Sequence, residues 1–158
     1  MKDLDFDASI KERFESIYWD IVENRTKDWR EEAEGRLAEI IVLDQFARNM
    51  FRDDRQAFAK DELALALAKE AIEVGADMQV PEDQRVFFYM PYMHSESREV
   101  HKTALKIFEK YGNKNNLDYE IKHKAIIDEF GRYPHRNAVL GRISTPEEIK
   151  WLEAGGGF

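Results

Sequence analysis

The chain has 158 residues, with 24 Lys+Arg against 32 Asp+Glu and a formal net charge of −8. That length fits one domain able to bury roughly 70% of the surface its unfolded form exposes. The acidity argues against a general nucleic-acid binder and against docking on an anionic membrane. With no cysteine in the chain, a disulfide framework, a thiol nucleophile and a zinc–thiolate site are excluded, and a reducing compartment is the compatible one.

No apolar run approaches the ~20 residues that span a bilayer. The opening MKDLDFDASI is acidic and lacks the apolar stretch of a signal peptide. A soluble cytoplasmic protein is expected. Charge is uneven along the chain. Residues 1–35 hold 6 basic and 11 acidic side chains, a net −5, whereas GRYPHRNAVLGR, residues 131–142, holds three arginines and no acid.

Ile10, Phe14, Ile17, Tyr18 and Ile21 recur at helical spacing after Asp7, which reads as the N-cap. A second helix is expected from Asp28 to Arg48. Its Ile40-Ile41-Val42-Leu43 run is apolar on all sides, as in a central, buried helix. Residues 49–56 read as a charged turn, and LALALAKEAIEV as a helix stopped by Gly75. Pro81 opens a short helix that ends in VFFYM before Pro91. Ser95 reads as the cap of the next helix, with Glu96 and Glu99 in its first turn, Lys106 and Lys110 near its end, and Gly112 as its stop. Leu117 to Phe130 forms another helix ended by Gly131, and NAVLG is a further helical turn. Thr145-Pro146-Glu147-Glu148 is a capping box that starts the last helix.

No segment alternates in the manner of a strand. The expected class is therefore all-α, about seven helices in antiparallel pairs within one domain spanning 1–158, with the tail 154–158 flexible or lightly docked. ALKIFEKYG looks like the second helix of a tetratricopeptide (TPR) hairpin, although no clean 34-residue self-similarity exists.

Three stretches concentrate polar chemistry. In LDQFARNMFR, Asp44 and Arg48 stand four apart and can pair on one helix face beside an apolar run. Either that pair holds two helices in register, or Arg48, Asn49 and Arg52 face a ligand at the helix end. In FFYMPYMHSES, His94 emerges from an apolar wall. Burial would lower its pKa and a carboxylate such as Glu96 would raise it; the plainer alternative is a bond from His94 to backbone at a helix start. In the basic stretch, Arg132, His135, Arg136, Asn137 and Arg142 gather before a helix N-terminus. They either receive an anion or pair with the acidic helices. Thr145 and Glu148 compete for the same N–H groups.

Metal binding is not expected. The four histidines, 94, 101, 123 and 135, form no close pair. His101 reads as a surface residue, and His123, on a face with Tyr119, Ile126 and Phe130, as a core histidine. No Walker loop, G-x-G-x-x-G or G-x-S-x-G occurs, and no cofactor is expected.

LDQFARNMFR, the run from Asp77 through VPEDQRVFFYMPYMHSE, and FGRYPHRNAVLGRISTPEE together resemble one bacterial family, domain of unknown function 924, in the TPR-like helical superfamily. The resemblance covers residues 6 to 158 and implies a right-handed array of antiparallel helix pairs. It places the family's polar signature on Asp44, Gln45, Arg48, Asn49 and Arg52, on His94, Ser95 and Glu96, and on Arg132, His135, Arg136, Asn137 and Arg142. Family members begin with a V-L-x-F-W-F-type helix that MKDLDF does not match, so a missing first helix, an open apolar groove or a partner subunit in that groove is expected, and homo-oligomerisation with it.

Two functions fit these features. In the first, a pocket binds a small anionic molecule: Arg48, Arg132 and Arg136 hold the anion, Gln45, Asn49, Arg52, Tyr89, Ser95, Asn137 and Arg142 line the pocket, and His94 or His135, oriented by Glu96 or Asp44, acts as acid or base in a possible enzyme. In the second, a TPR-like adaptor grips an acidic or C-terminal peptide through arginines.

Overall fold

The computed structural model describes residues 2–158, and every regular element among them is helical. The chain divides into two compact units, residues 1–92 and 93–158. Taking the second helix as one element, nine helices are present among the described residues.

The first unit opens with α1 (Leu4–Val22). Its N-cap is Asp3, whose carboxylate accepts from Phe6 N at 2.9 Å, and not Asp7. Asp7 lies one turn inside the helix, is buried, and serves a different purpose described below. The expected helix from Asp28 to Arg48 is two elements. Lys27–Glu31 is a 3₁₀ segment, and α2 occupies residues 33–50. Glu39, 1% exposed, explains the break: its carboxylate takes Arg30 Nε at 2.8 Å and Thr26 Oγ1 at 3.0 Å, which folds the 3₁₀ segment back onto the helix.

Helix α2 is itself interrupted. Between Ala33–Ile41 and Ala47–Met50 the stretch Val42–Phe46 is a π turn, in which Ala47 N–H reaches back to Val42 O. One extra residue in the turn rotates everything after it relative to a continuous α-helix. Val42, Leu43 and Ala47 are buried, in line with the all-round apolar run. Helix α2 packs on α1 and on α3 (Asp61–Glu73), which ends just before Gly75. Tyr18 sits at the centre, fully buried, with its ring 5.2 Å from Phe51 and its hydroxyl accepting from Gln56 Nε2 at 2.7 Å. Short turns α4 (Glu82–Arg85) and α5 (Met90–Met93) lead out of this unit.

In the second unit α6 (Arg98–Tyr111) packs along α7 (Lys114–Phe130). Ser97, not Ser95, caps α6: its hydroxyl accepts from Val100 N. Glu96 therefore lies outside the helix. Gly112 and Gly131 end the two helices. The single turn α8 (Asn137–Leu140) and the last helix α9 (Pro146–Glu153) follow, the latter with both bonds of the Thr145–Glu148 capping box made. Ile126, Ile127 and Tyr133 form the core here, with Phe130 and Trp151 against them.

Candidate functional site

In the first unit the LDQFARNMFR groups are bound to carboxylates of their own unit. Asp44, 1% exposed, takes Gln45 Nε2 at 2.9 Å and lies 3.3 Å from Arg48 Nη1, the i,i+4 pair anticipated from the spacing. Arg48 also forks onto Asp61 at 2.9 and 3.0 Å. Asn49 and Arg52 meet on Asp7, at 2.9 Å for Asn49 Nδ2 and 2.5 and 2.9 Å for Arg52. Those bonds, Arg52 first and Asn49 second, lower the Asp7 pKa to about 2. Tyr89, 1% exposed, donates its hydroxyl to Asp77 at 2.7 Å.

In the second unit two of the polar stretches meet. Met93 ends α5 and residues 94–96 run between helices, so the carbonyls of 93–96 have no helical partners and must be satisfied from elsewhere. The basic stretch supplies most of the donors. Tyr133 Oη donates to Met93 O at 2.5 Å, Arg136 Nη2 to His94 O at 3.1 Å, and His101 Nε2 to Ser95 O at 2.7 Å. Glu96 completes the splice, accepting Tyr133 N–H at 2.9 Å and both Nη atoms of Arg142 at 2.7 and 3.0 Å. Burial works to raise the Glu96 pKa, but the bonds from Arg142 and Tyr133 outweigh it and leave the carboxyl below its usual value.

Two further polar groups of the basic stretch converge on Glu148. Arg132 reaches it with Nε and Nη2, both at 2.8 Å, and Asn137 Nδ2 at 3.0 Å. Together with the Thr145 N–H these hold Glu148 at a pKa of about 2, Arg132 being the largest cause. The last helix's N-terminal groups are thus served internally by its capping box.

All four histidines lie in this unit, and three of them surround one side chain, the fully buried Tyr133. Ring centroids of His101, His123 and His135 stand 6.3, 5.7 and 5.5 Å from it, and His94 is 6.4 Å from His123. The Arg136 guanidinium lies over the Tyr133 face at 4.6 Å.

His101, expected at the surface, has no exposure at all. Its face of α6 carries Ala104 and Phe108, both also buried, and that i, i+3, i+7 pattern was available in the sequence. Its Nδ1 lies 2.7 Å from Glu120 Oε1, also fully buried. Burial pushes the Glu120 carboxyl above its usual value, against the opposing pull of the His101 bond. Glu120 was not anticipated, although it shares a face of α7 with His123 and Ile127 at i+3 and i+7.

His123 and His135 are neutral. Burial is the main cause for both, lowering His123 to about 3 and His135 to about 4. His123 Nδ1 donates to Tyr119 O at 2.7 Å, which fixes the ring and leaves Nε2 as the acceptor. His135 Nδ1 is buried with no hydrogen-bond partner. The fields of Arg136 and Arg142 add to its depression, opposed by Glu96.

Among the described residues every regular element is therefore helical, and the second unit surrounds a buried tyrosine with three imidazoles and ties its unwound segment with arginine. The matched family model is that of bacterial proteins of unknown function, DUF924, over residues 1–156, and the chain belongs to that family. It is also similar to a solved structure of a protein of unknown function from Agrobacterium tumefaciens. The two share 40% identity with a TM-score of 0.93, covering 98% of this chain and 88% of the other. Comparison with curated proteins gave no match.

Proposed function

We propose that this protein is a TPR-like helical scaffold, acting in the cytoplasm, that binds a small anionic molecule at the histidine cluster of residues 93–158. One observation carries the reading: the His135 Nδ1 atom is buried, has no partner, and lies in the field of Arg136, which Glu96 opposes and Arg142 reinforces. That field repels a proton from the imidazole and by the same sign favours an anion. With its proton on Nε2, the neutral imidazole offers Nδ1 as an acceptor, which favours an anion that carries its own proton, and leaving Nδ1 unfilled costs about 1–3 kcal/mol. Hydrogen phosphate and phosphate monoesters meet both conditions; sulfate near neutral pH has the charge without the proton.

This reading relocates the anion from the arginines named on sequence grounds. Arg48, Arg52, Arg132 and Arg142 each hold a carboxylate of the chain. The same engagement leaves the peptide-adaptor alternative without support from those side chains. His135 is also the general-base candidate for any turnover, because its Nδ1 is the nitrogen placed to receive the ligand's proton.

The test is thermal unfolding at pH 6–7 in matched ionic strength. Phosphate is expected to raise Tm by more than sulfate, since a ligand of the folded form stabilises by RT ln(1 + [L]/Kd). His135→Gln is expected to remove the difference. Equal shifts for phosphate, sulfate and chloride would refute the reading.

A further inference from the structure

The second side of the histidine cluster is covered by the chain's own tail. The Phe158 ring lies on His123 with centroids 3.8 Å apart and planes 5° from parallel. It stands edge-on to His135 at 5.9 Å and 79°, and Tyr119 flanks it at 6.5 Å. His123 thus forms the floor of a slot and His135 a wall. The floor is rigid, because the bond to Tyr119 O fixes the imidazole plane.

The tail that delivers this ring is fitted to its path. A Cβ at Gly156 would stand 2.3 Å from the Trp151 indole, and one at Gly157 would lie 3.3 Å from His135 Cβ on a backbone with φ +124°. Only glycine follows that route. Backbone bonds hold the tail as far as Gly156, which donates to Trp151 O at 3.0 Å. Past that point ring contacts and packing on His135 hold it, and Phe158 remains 59% exposed. A ring stacked on its inner face and open on its outer face can leave by a swing of the backbone beyond Gly156, which also carries Gly157 off the side chain of His135, whose Nδ1 is buried.

We propose that the face of His123 under Phe158 is a planar-ring subsite, that the site takes an anion bearing an aromatic or heteroaromatic ring, and that Phe158 occupies it as a displaceable internal cover. The ring subsite deepens the reading of the cluster as an anion site and rests on it for the anionic half of the ligand. The His135 nitrogen meets the acidic group while His123 stacks the ring. Their separation fits one small molecule, since both side chains contact the same phenylalanine.

The experiment uses the full chain and Phe158→Ala, with Phe158→Trp as the variant that keeps a ring in place. Side-chain NMR of His123 and His135 follows titration with phenyl phosphate, methyl phosphate and phenol at pH 6. Phe158→Ala is expected to bind phenyl phosphate about fivefold more tightly than the parent, the scale of one aromatic stack. Methyl phosphate, which has no ring, is expected to bind both alike, and phenol is expected to perturb His123 more strongly in Phe158→Ala. Without added ligand, His123 in Phe158→Ala is expected to titrate at higher pH than in the parent, and Phe158→Trp to behave like the parent. Equal affinity of parent and Phe158→Ala for phenyl phosphate, with equal phenol effects on His123, overturns the subsite. A phenol response without any methyl phosphate response sustains the ring subsite and removes the anion reading instead.

Discussion

Arg142 grips Glu96 with two guanidinium nitrogens, at 2.7 and 3.0 Å, across 46 residues of chain. The same arginine donates Nε to Asn137 Oδ1 at 2.9 Å and Nη2 to Tyr133 O at 3.0 Å. One cation therefore ties the unwound segment 94–96, the turn after α7 and the start of α8. A pair of this kind is destabilising to break, because the abandoned partner stays partly buried.

Glu96→Gln is accordingly expected to lower unfolding free energy by about 1–3 kcal/mol, discounted from a fully buried pair because both side chains are partly exposed. Arg142→Lys should cost a similar amount, since an ammonium cannot reproduce the planar fork. Urea unfolding of each variant and of the double variant checks this. Losses that simply add would mean the two side chains do not act as a pair.

The buried His101–Glu120 contact makes a second prediction. Because burial favours the protonated carboxyl, the Glu120 amide isostere should be tolerated. Glu120→Gln is expected to cost less than about 1.5 kcal/mol, whereas Glu120→Ala leaves His101 Nδ1 without a partner and should cost about 2–4 kcal/mol. Equal losses for the two variants, measured by denaturant unfolding, would mean that a full negative charge at position 120 is what the fold requires.

Stability should also fall in two stages on acidification. The folded pKa of His123, about 3, lies below its ordinary 6.5, so between those values the unfolded chain takes up a proton that the folded chain does not. Its contribution is complete above about pH 6.5 and is lost as the pH falls through about 3; His135, at about 4, acts in the same direction. One such proton changes stability by about 1.4 kcal/mol per pH unit. Glu148 has the same sign in a lower window, its contribution being complete above about pH 4.5 and lost toward about 2. Unfolding free energy measured from pH 8 to pH 3 is expected to decline from near 6.5 and steepen below 4.5. His123→Gln should roughly halve the slope of the first stage, leaving the His135 share, and should remove about 1.4 kcal/mol per pH unit from the second. A parent profile flat between pH 6.5 and 5 would show that His123 and His135 are not held neutral.

Much of the helical framework was legible without coordinates because it depends on neighbours three or four residues away. The Thr145–Glu148 box, the stops at Gly75, Gly112 and Gly131, and the Asp44–Arg48 pair all involve such neighbours. Sequence patterns also marked the polar stretches that meet in the second unit. Cap positions were less certain, since several acids or hydroxyls compete at each helix start. Asp3 and Ser97 took the places read for Asp7 and Ser95.

The sequence by itself determined the all-helical class, the family, and which segments carry unusual polar chemistry. Only the tertiary structure decided what those groups do. A helical period says which face is buried, yet it does not say which distant side chain will meet a charge there. Asp7 finds Arg52 across 45 residues and His101 finds Glu120 across 19, and each contact exists only once the helices are packed. A buried charge must be paired or neutralised, so folding engages Arg52, Arg132 and Arg142 with carboxylates of the chain and holds His123 and His135 neutral beside Tyr133, with His135 Nδ1 unfilled.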